Sequence, residues 1–221
     1  MKRKIITTSD GSKTIQIEDL NEQYHSIHGA VQEAKHVFIK NGLALFKNRE
    51  ISILEIGFGT GLNALITLMC CKDFNLKINY TGVEAYPVMK NELDQLNYID
   101  CLQANDFVLE YIKMHESAWE ANVFITDEFV LKKRQEDFLK IEDVQAFDLI
   151  YFDAFGARVQ PELWTKVIFE KMFTAMKNEA VLVTYSAKGS VRRAMQAVGF
   201  EVERLPGPPG KREMLRARKL K

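Results

Sequence analysis

The chain is poor in several things that would mark a specialised class. It has three cysteines in 221 residues, Cys70, Cys71 and Cys101. Their number is odd, they show no paired metal-ligand spacing, and two fall in an apolar run, so they read as buried free thiols rather than a disulfide or zinc framework. The four histidines, His25, His28, His36 and His115, form no H-E-x-x-H or His/Cys cluster, so the residues offer no metal centre. The longest apolar stretch, Leu62 to Cys71, is interrupted by Asn63 and far too short to span a bilayer. The first residues, MKRKIITTSDG, lack a signal core, which predicts a cytoplasmic protein without a membrane partner. Net charge is absent too, with 30 Lys/Arg against 30 Asp/Glu.

That neutrality is uneven. Residues 186–221 carry ten Lys/Arg against three acids, and the rest carries twenty against twenty-seven. A solvated charged tail and a surface for a polyanionic partner both fit. Lys188, Arg192 and Arg193 fall on one predicted helix, and Lys211, Arg212, Arg216 and Arg218 flank a predicted strand, so folded elements would hold these charges in place to position phosphates.

With 47% apolar residues the chain can bury a sizeable core as a single globular unit. The pattern predicts an N-terminal hairpin around Asp10-Gly11 within residues 1–20 and a helix from Gly29 to Lys40, a 1–45 segment packed on the core. Residues 46–221 then alternate as an α/β doubly wound, mostly parallel sheet. Predicted strands are Ile51–Ile56, Lys77–Val83, Phe129–Arg134, Phe147–Phe152, Ala180–Tyr185 and a closing pair, Glu201–Leu205 with Glu213–Ala217. Predicted helices are Leu62–Cys71, Pro87–Leu96, Pro161–Met176 and Ser190–Val198. LPGPPGK is a turn-rich loop.

The stretch ILEIGFGTGLN, residues 53–63, places Gly57, Gly59 and Gly61 in a strand-to-helix turn, where backbone can approach a ligand and a helix N-terminus points at it. Its G-x-G-x-G spacing departs from the G-x-G-x-x-G of dinucleotide binders. It resembles the S-adenosylmethionine loop of Rossmann-like methyltransferases; an ordinary tight turn is the plainer reading. Three acids end predicted strands, where such sheets collect ligands. Glu84 suits a pair of ribose hydroxyls or a helix-start charge. Asp137 suits the exocyclic amine of adenine or a helix N-cap. Asp153, ending a buried strand beside Phe155, needs partners in either case and would face the reacting end of a cofactor.

Five segments carry a wider resemblance: YHSIHGAVQEAKHVFI (24–39), ILEIGFGTGLN, YTGVEAYPV (80–88), FDLIYFDAFGARVQPELW (147–164) and YSAKGSVRRAMQAVGFEVERLPGPPGKREML (185–215). Together they resemble the tRNA 5-methylaminomethyluridine methyltransferase family, the methyltransferase half of bifunctional MnmC and the stand-alone MnmD. The likeness runs from Tyr24 to the end and is weakest between Asn97 and Val123. It implies a Rossmann-like class I methyltransferase fold with a small N-terminal extension. It also implies S-adenosylmethionine-dependent N-methylation of the 5-aminomethyl group of (2-thio)uridine at the tRNA wobble position.

Carried over by position, Gly57, Gly59, Gly61 and Asn63 match the cofactor loop, Glu84 the ribose carboxylate and Asp137 the adenine contact. Tyr24, Ser26 and Glu33 close over the cofactor, or serve as a helix cap and a surface salt bridge. Asp153 matches the acid of the D-[AG]-F motif and would orient the amine and assist its proton loss. Phe58, Phe155, Trp164 and Tyr185 are candidate walls for a uracil ring, with core packing the alternative for each. Lys188, Arg192, Arg193, Lys211, Arg212 and Arg216 are candidate phosphate contacts in an anticodon loop. A proline common after the motif's phenylalanine is Ala157 here, next to Gly156, which predicts a freer loop. The resemblance also implies an oxidase domain in the bifunctional relatives; none is expected in this chain, so a separate enzyme is expected to supply the amine. A methyltransferase of small amines or protein, an aminopropyl transferase and a non-catalytic RNA-binding module share these features and stay open.

Overall fold

The computed structural model describes residues 2–221; Met1 of the expected hairpin lies outside them. Strands β1 (Arg3–Thr7) and β2 (Lys13–Ile17) pair antiparallel around the Asp10-Gly11 turn and, with the short β3 (Glu22–Gln23), make a separate three-stranded sheet. Helix α1 (Ala30–Ala34) widens into a π-helical continuation, Lys35–Lys40. Then follow β4 (Arg49–Ile56), α2 (Leu62–Met69), α3 (Cys71–Phe74), β5 (Leu76–Val83) and α4 (Lys90–Leu93). Next come α5 (Tyr98–Leu102), α6 (Val108–Glu116), β6 (Asn122–Thr126), β7 (Phe129–Arg134) and β8 (Phe147–Phe152). The chain closes with α7 (Lys166–Ala175), β9 (Met176–Thr184), α8 (Gly189–Val198), β10 (Glu201–Pro206) and β11 (Glu213–Arg218).

The main sheet has the order β10-β11-β9-β8-β4-β5-β7-β6. Its five central strands are parallel, and antiparallel strands close both edges: β6 on β7, and β11 on β9 with β10 outside it. Alternation along β4 sends Ile51 and Ile53 to the core under α1, α2 and α6, and Leu54 and Ile56 to the core under α7 and α8. A strand buried on both faces reads as a continuous apolar run, which is why β4 and β8 stood out in the sequence. Progression reverses between β4 and β8, and the crevice beyond their carboxyl ends is where open α/β sheets bind ligands. Gly57 and Asp153 sit there side by side, with Asp153 N donating to Ile56 O at 3.0 Å.

Two expected helices differ. Of Pro87–Leu96 only the turn Lys90–Leu93 is helical, because Arg3 donates to the carbonyls of Tyr86 and Pro87 that a longer helix would need. Pro161–Met176 breaks at the extended Thr165, since Pro161–Trp164 forms a 3₁₀ turn that lets Trp164 Nε1 donate to Phe155 O at 2.7 Å. The sequence pattern also passed over α5, α6 and β6. These are short pieces, and β6 is a largely exposed edge strand with one buried residue, so hydrophobic periodicity there is faint. No helix among the described residues is long and apolar enough to cross a membrane.

Candidate active site

The glycine turn is pinned from below. Thr60 Oγ1 meets His25 Nε2 at 2.9 Å and accepts from Tyr98 OH at 3.1 Å, while Tyr111 OH donates to its carbonyl at 3.0 Å. Gly57 has φ +90°, and a Cβ there would stand 2.8 Å from the Asp153 carbonyl oxygen. Only glycine allows β4 to turn off this close to the loop after β8. Gly61 starts α2 in the left-handed conformation.

A cleft of about 500 Å³ opens above this turn, lined by Tyr24, Gly57, Gly59, Glu84, Asp137, Asp153 and Phe155 among others. Glu84 lies at its base, 8% exposed. Its Oε2 accepts from Gly59 N at 3.0 Å and its Oε1 from Tyr86 N at 2.9 Å. Burial raises its pKa above the ordinary value, against the pull of those backbone donors and of Arg3. Asp137 caps a 3₁₀ turn, accepting from Leu139 N at 2.9 Å as the N-cap reading expected, and it also borders the cleft.

Asp153 is partly buried at the inner end of the cleft. Desolvation foremost, then the charge of Glu33, raise its pKa from 3.8 to about 7, although the Asn63 hydrogen bond and Lys211 oppose them. Asn63 Nδ2 donates both to Asp153 Oδ2 at 2.9 Å and to Glu55 Oε1 at 2.8 Å. Tyr80 OH donates to the other Glu55 oxygen at 2.8 Å. Glu55 is 1% exposed, and burial raises its pKa well above the ordinary value. Sequence reasoning passed over it, though the signal was present: a glutamate at an inward register position of an otherwise apolar strand, where burial demands partners. Asn63 therefore turns away from the open cleft and orients Asp153.

A second hollow of about 200 Å³ lies beside the first, and Tyr24, Ala154 and Phe155 line both. Tyr24 and Phe155 meet edge to face, ring centroids 5.1 Å apart, and form the partition. The far side holds Glu33, Tyr185 and Lys211. Glu33 is thus placed in the second hollow rather than the glycine-loop cleft. It is 5% exposed, so its ion pair with Lys211 at 2.6 Å is interior, not the surface bridge considered from sequence.

Other expectations need correcting. Lys211 is held by Glu33 inside the hollow and is not presented for phosphate, and Arg216 is committed to Glu203 through two hydrogen bonds. Phe58 packs in the core against His115 and Gly82, and Trp164 packs on Phe152; neither lines a hollow. Tyr185 OH donates to Ala154 O at 2.8 Å, so with Trp164 it ties Ala154 and Phe155, just before Gly156 and Ala157. Lys188, Arg193 and Arg212 are exposed and Arg192 is half-buried. Lys211, next in the chain to the exposed Arg212, lines the second hollow.

A doubly wound sheet, a glycine turn at the topological switch point and a buried carboxylate after the neighbouring strand define a nucleoside-binding α/β enzyme. Residues 102–220, more than half of the chain, match the model of the S-adenosyl-L-methionine-dependent methyltransferase family, and the chain belongs to that family. Among curated proteins it is similar to the tRNA 5-methylaminomethyl-2-thiouridine biosynthesis bifunctional protein MnmC of Hydrogenovibrio crunogenus, 26% identical over 96% of this chain and 33% of that protein. The MnmC of Pseudomonas syringae is 30% identical over 90% of this chain and 32% of that protein. The chain thus spans about a third of the length of the curated relatives it matches. The crystal structure of MNMC2 from Aquifex aeolicus superposes with a TM-score of 0.78 at 26% identity, over 100% of this chain and 70% of that one. A spermidine synthase complex reaches 0.58 at 14% identity, over 99% of this chain and 75% of that one, a likeness of fold alone.

The residues fit the family's cofactor. A cradle of glycines that a Cβ would obstruct faces a buried carboxylate whose protein partners are backbone N–H groups, the donor and acceptor pattern a ribose and its neighbouring groups require.

Proposed function

We propose that this protein transfers a methyl group from S-adenosylmethionine to the 5-aminomethyl group of (2-thio)uridine at the wobble position of tRNA, giving 5-methylaminomethyl(-2-thio)uridine. The observation that carries this reading is the pair of adjoining hollows, with Asp153 lining the first and the next two residues, Ala154 and Phe155, lining both. One has the glycine turn and Glu84, and the other is small and walled by the aromatics Tyr24, Phe155 and Tyr185. The names of the relatives support the substrate: this chain matches the share of MnmC that it covers nearly end to end.

Gly57, Gly59, Glu84 and Asp137 would hold the cofactor, Glu84 accepting from the ribose hydroxyls and Asp137 from the adenine amine. Held there, S-adenosylmethionine supplies a methyl group open to in-line displacement by an amine lone pair. That lone pair is the protein's task. An alkylammonium is protonated at neutral pH and cannot react, so a group at the acceptor must bind it and take its proton. Asp153, with a carboxyl raised to about 7, is balanced between binding the ammonium as a carboxylate and accepting the proton. Asn63, Glu55 and Tyr80 keep it aimed, which protects the proximity on which the rate depends. Phe155, which lines both hollows, offers an aromatic surface to an unstacked base, as recognition of single-stranded RNA loops requires. Lys188, Arg192, Arg193 and Arg212 would take the flanking phosphates.

The test is incubation of the purified protein with methyl-labelled S-adenosylmethionine and bulk tRNA from cells lacking this gene, followed by nucleoside analysis. The expected result is label in a 5-methylaminomethyluridine-type nucleoside. Cofactor binding without label in tRNA would overturn the assignment in favour of a small amine or protein acceptor.

A further inference from the structure

Glu33 from α1, Tyr185 from the end of β9 and Lys211 from the β10–β11 loop meet in the second hollow. The Lys211 ammonium lies 2.6 Å from Glu33 Oε1 and 3.8 Å from the centroid of the Tyr185 ring. The other Glu33 oxygen accepts from Ser26 N at 2.9 Å. A carboxylate this deep needs a fixed countercharge, and an ammonium seated on an aromatic face is restrained in position as well as paired.

Asp153 directly precedes Ala154 and Phe155, which line the hollow that holds this ion pair, and its carboxyl feels the charges of both Glu33 and Lys211. The charged and titratable groups around that carboxyl are Glu33 on α1, Lys211 on the β10–β11 loop, Glu55 on β4 reached through Asn63, Glu84 after β5 and Tyr185 after β9. Glu22 of β3, paired with Arg158, lines the same hollow. Glu33 pushes the Asp153 carboxyl up and Lys211 pulls it down.

Building on the amine-methylation reading above, we propose that Lys211 is a positioning residue for the methyl transfer. By holding Glu33 in an ion pair against Tyr185, it leaves Asp153 as the carboxylate open to the acceptor's ammonium. Without Lys211, the bare charge of Glu33 does two kinds of harm. It offers the acceptor's ammonium a rival seat on Glu33 in place of Asp153, and it keeps Asp153 protonated to higher pH.

The experiment follows the Asp153 carboxyl directly, by ¹³C NMR of protein labelled at aspartate carboxyl carbons. The signal is assigned with Asp153→Asn and titrated in wild type and in Lys211→Met, Lys211→Arg, Glu33→Gln and the double variant Glu33→Gln/Lys211→Met. In parallel, kcat/KM is measured against pH with aminomethyl tRNA. A neighbouring charge of this kind moves a carboxyl by about one pH unit. The Asp153 midpoint should rise by about that much in Lys211→Met and fall by a similar amount in Glu33→Gln. It should return near wild type in the double variant and stay there in Lys211→Arg. The acid limb of kcat/KM should move with it, so that Lys211→Met loses about tenfold at pH 6 and far less at pH 9.

A loss that is uniform across pH, with the Asp153 midpoint unmoved, would mean that Lys211 only holds the fold and would overturn the proposal. If Lys211→Met does not fold, Glu33→Gln still decides, since an unchanged midpoint there refutes the charge balance. The NMR titration needs no acceptor. Midpoints that move as stated in a protein that methylates no tRNA would sink the tRNA reading and keep the charge balance, whereas tRNA methylation with fixed midpoints would sink the role of Lys211 alone.

Discussion

Replacing Asp153 with asparagine should remove activity and, in the same step, stabilise the protein at alkaline pH. The carboxyl is raised from 3.8 to about 7, chiefly by desolvation. A rise of that size means that ionising Asp153 in the folded protein costs about 4 kcal/mol more than in the unfolded chain. This is an upper figure, because the side chain borders an open cleft and solvent screens part of it. For a group whose folded pKa lies above its unfolded one, the stability associated with the neutral form is fully present below 3.8 and is lost as pH rises through about 7. Asparagine keeps an oxygen for Asn63 Nδ2 and has no such dependence. The advantage of Asp153→Asn over wild type should therefore grow between pH 5 and pH 8 by about 2 kcal/mol, after discounting for screening. In a domain of this size that is about 4–8 °C of additional Tm difference. Thermal melts of both proteins at pH 5, 6, 7 and 8 measure it, and titrations elsewhere cancel in the difference. A gap that is flat with pH, or that narrows as pH rises, would refute the reading of Asp153 as a carboxyl held near neutral pH. Loss of general-base assistance should lower kcat by a factor of about 10² to 10⁴ in the same variant.

Three further outcomes follow from the geometry. Glu84→Gln should weaken S-adenosylmethionine binding about tenfold or more by calorimetry, because a charged acceptor at the base of the cleft is lost; equal affinity would place the ribose elsewhere. Glu55→Gln should cost less than Glu55→Ala, since burial already disfavours the charged carboxylate and the amide keeps an acceptor there, whereas Glu55→Ala should cost about 1–3 kcal/mol by stranding Tyr80 and Asn63; chemical denaturation compares them. Reversing Arg192 and Arg193 to glutamate should reduce tRNA affinity and flatten its dependence on salt, and filter binding at several salt concentrations that shows neither change would move the phosphate contacts off α8.

The strands β4 and β8, the glycine turn after β4 and the acid after β8 were legible in the sequence for one physical reason. Strands buried on both faces admit few polar residues, and a parallel sheet places its ligand-bearing loops where those apolar runs stop. Ile53–Gly61 and Phe147–Asp153 carry that signal within a dozen residues each. What the chain brings together over long separations was not legible. Arg3 ends the expected Pro87–Leu96 helix by taking its carbonyls, over 83 residues. Lys211, read as one more cation of a basic segment, is drawn inward by Glu33 across 178 residues. Glu55 looked like an interruption of a strand until Tyr80 and Asn63 converged on it. Local sequence determined which elements form and which loops they present. Which charges meet, and therefore which carboxyl stays near neutral pH beside the acceptor, was decided only by tertiary packing, because desolvation and Coulomb interaction depend on distance in space and not along the chain.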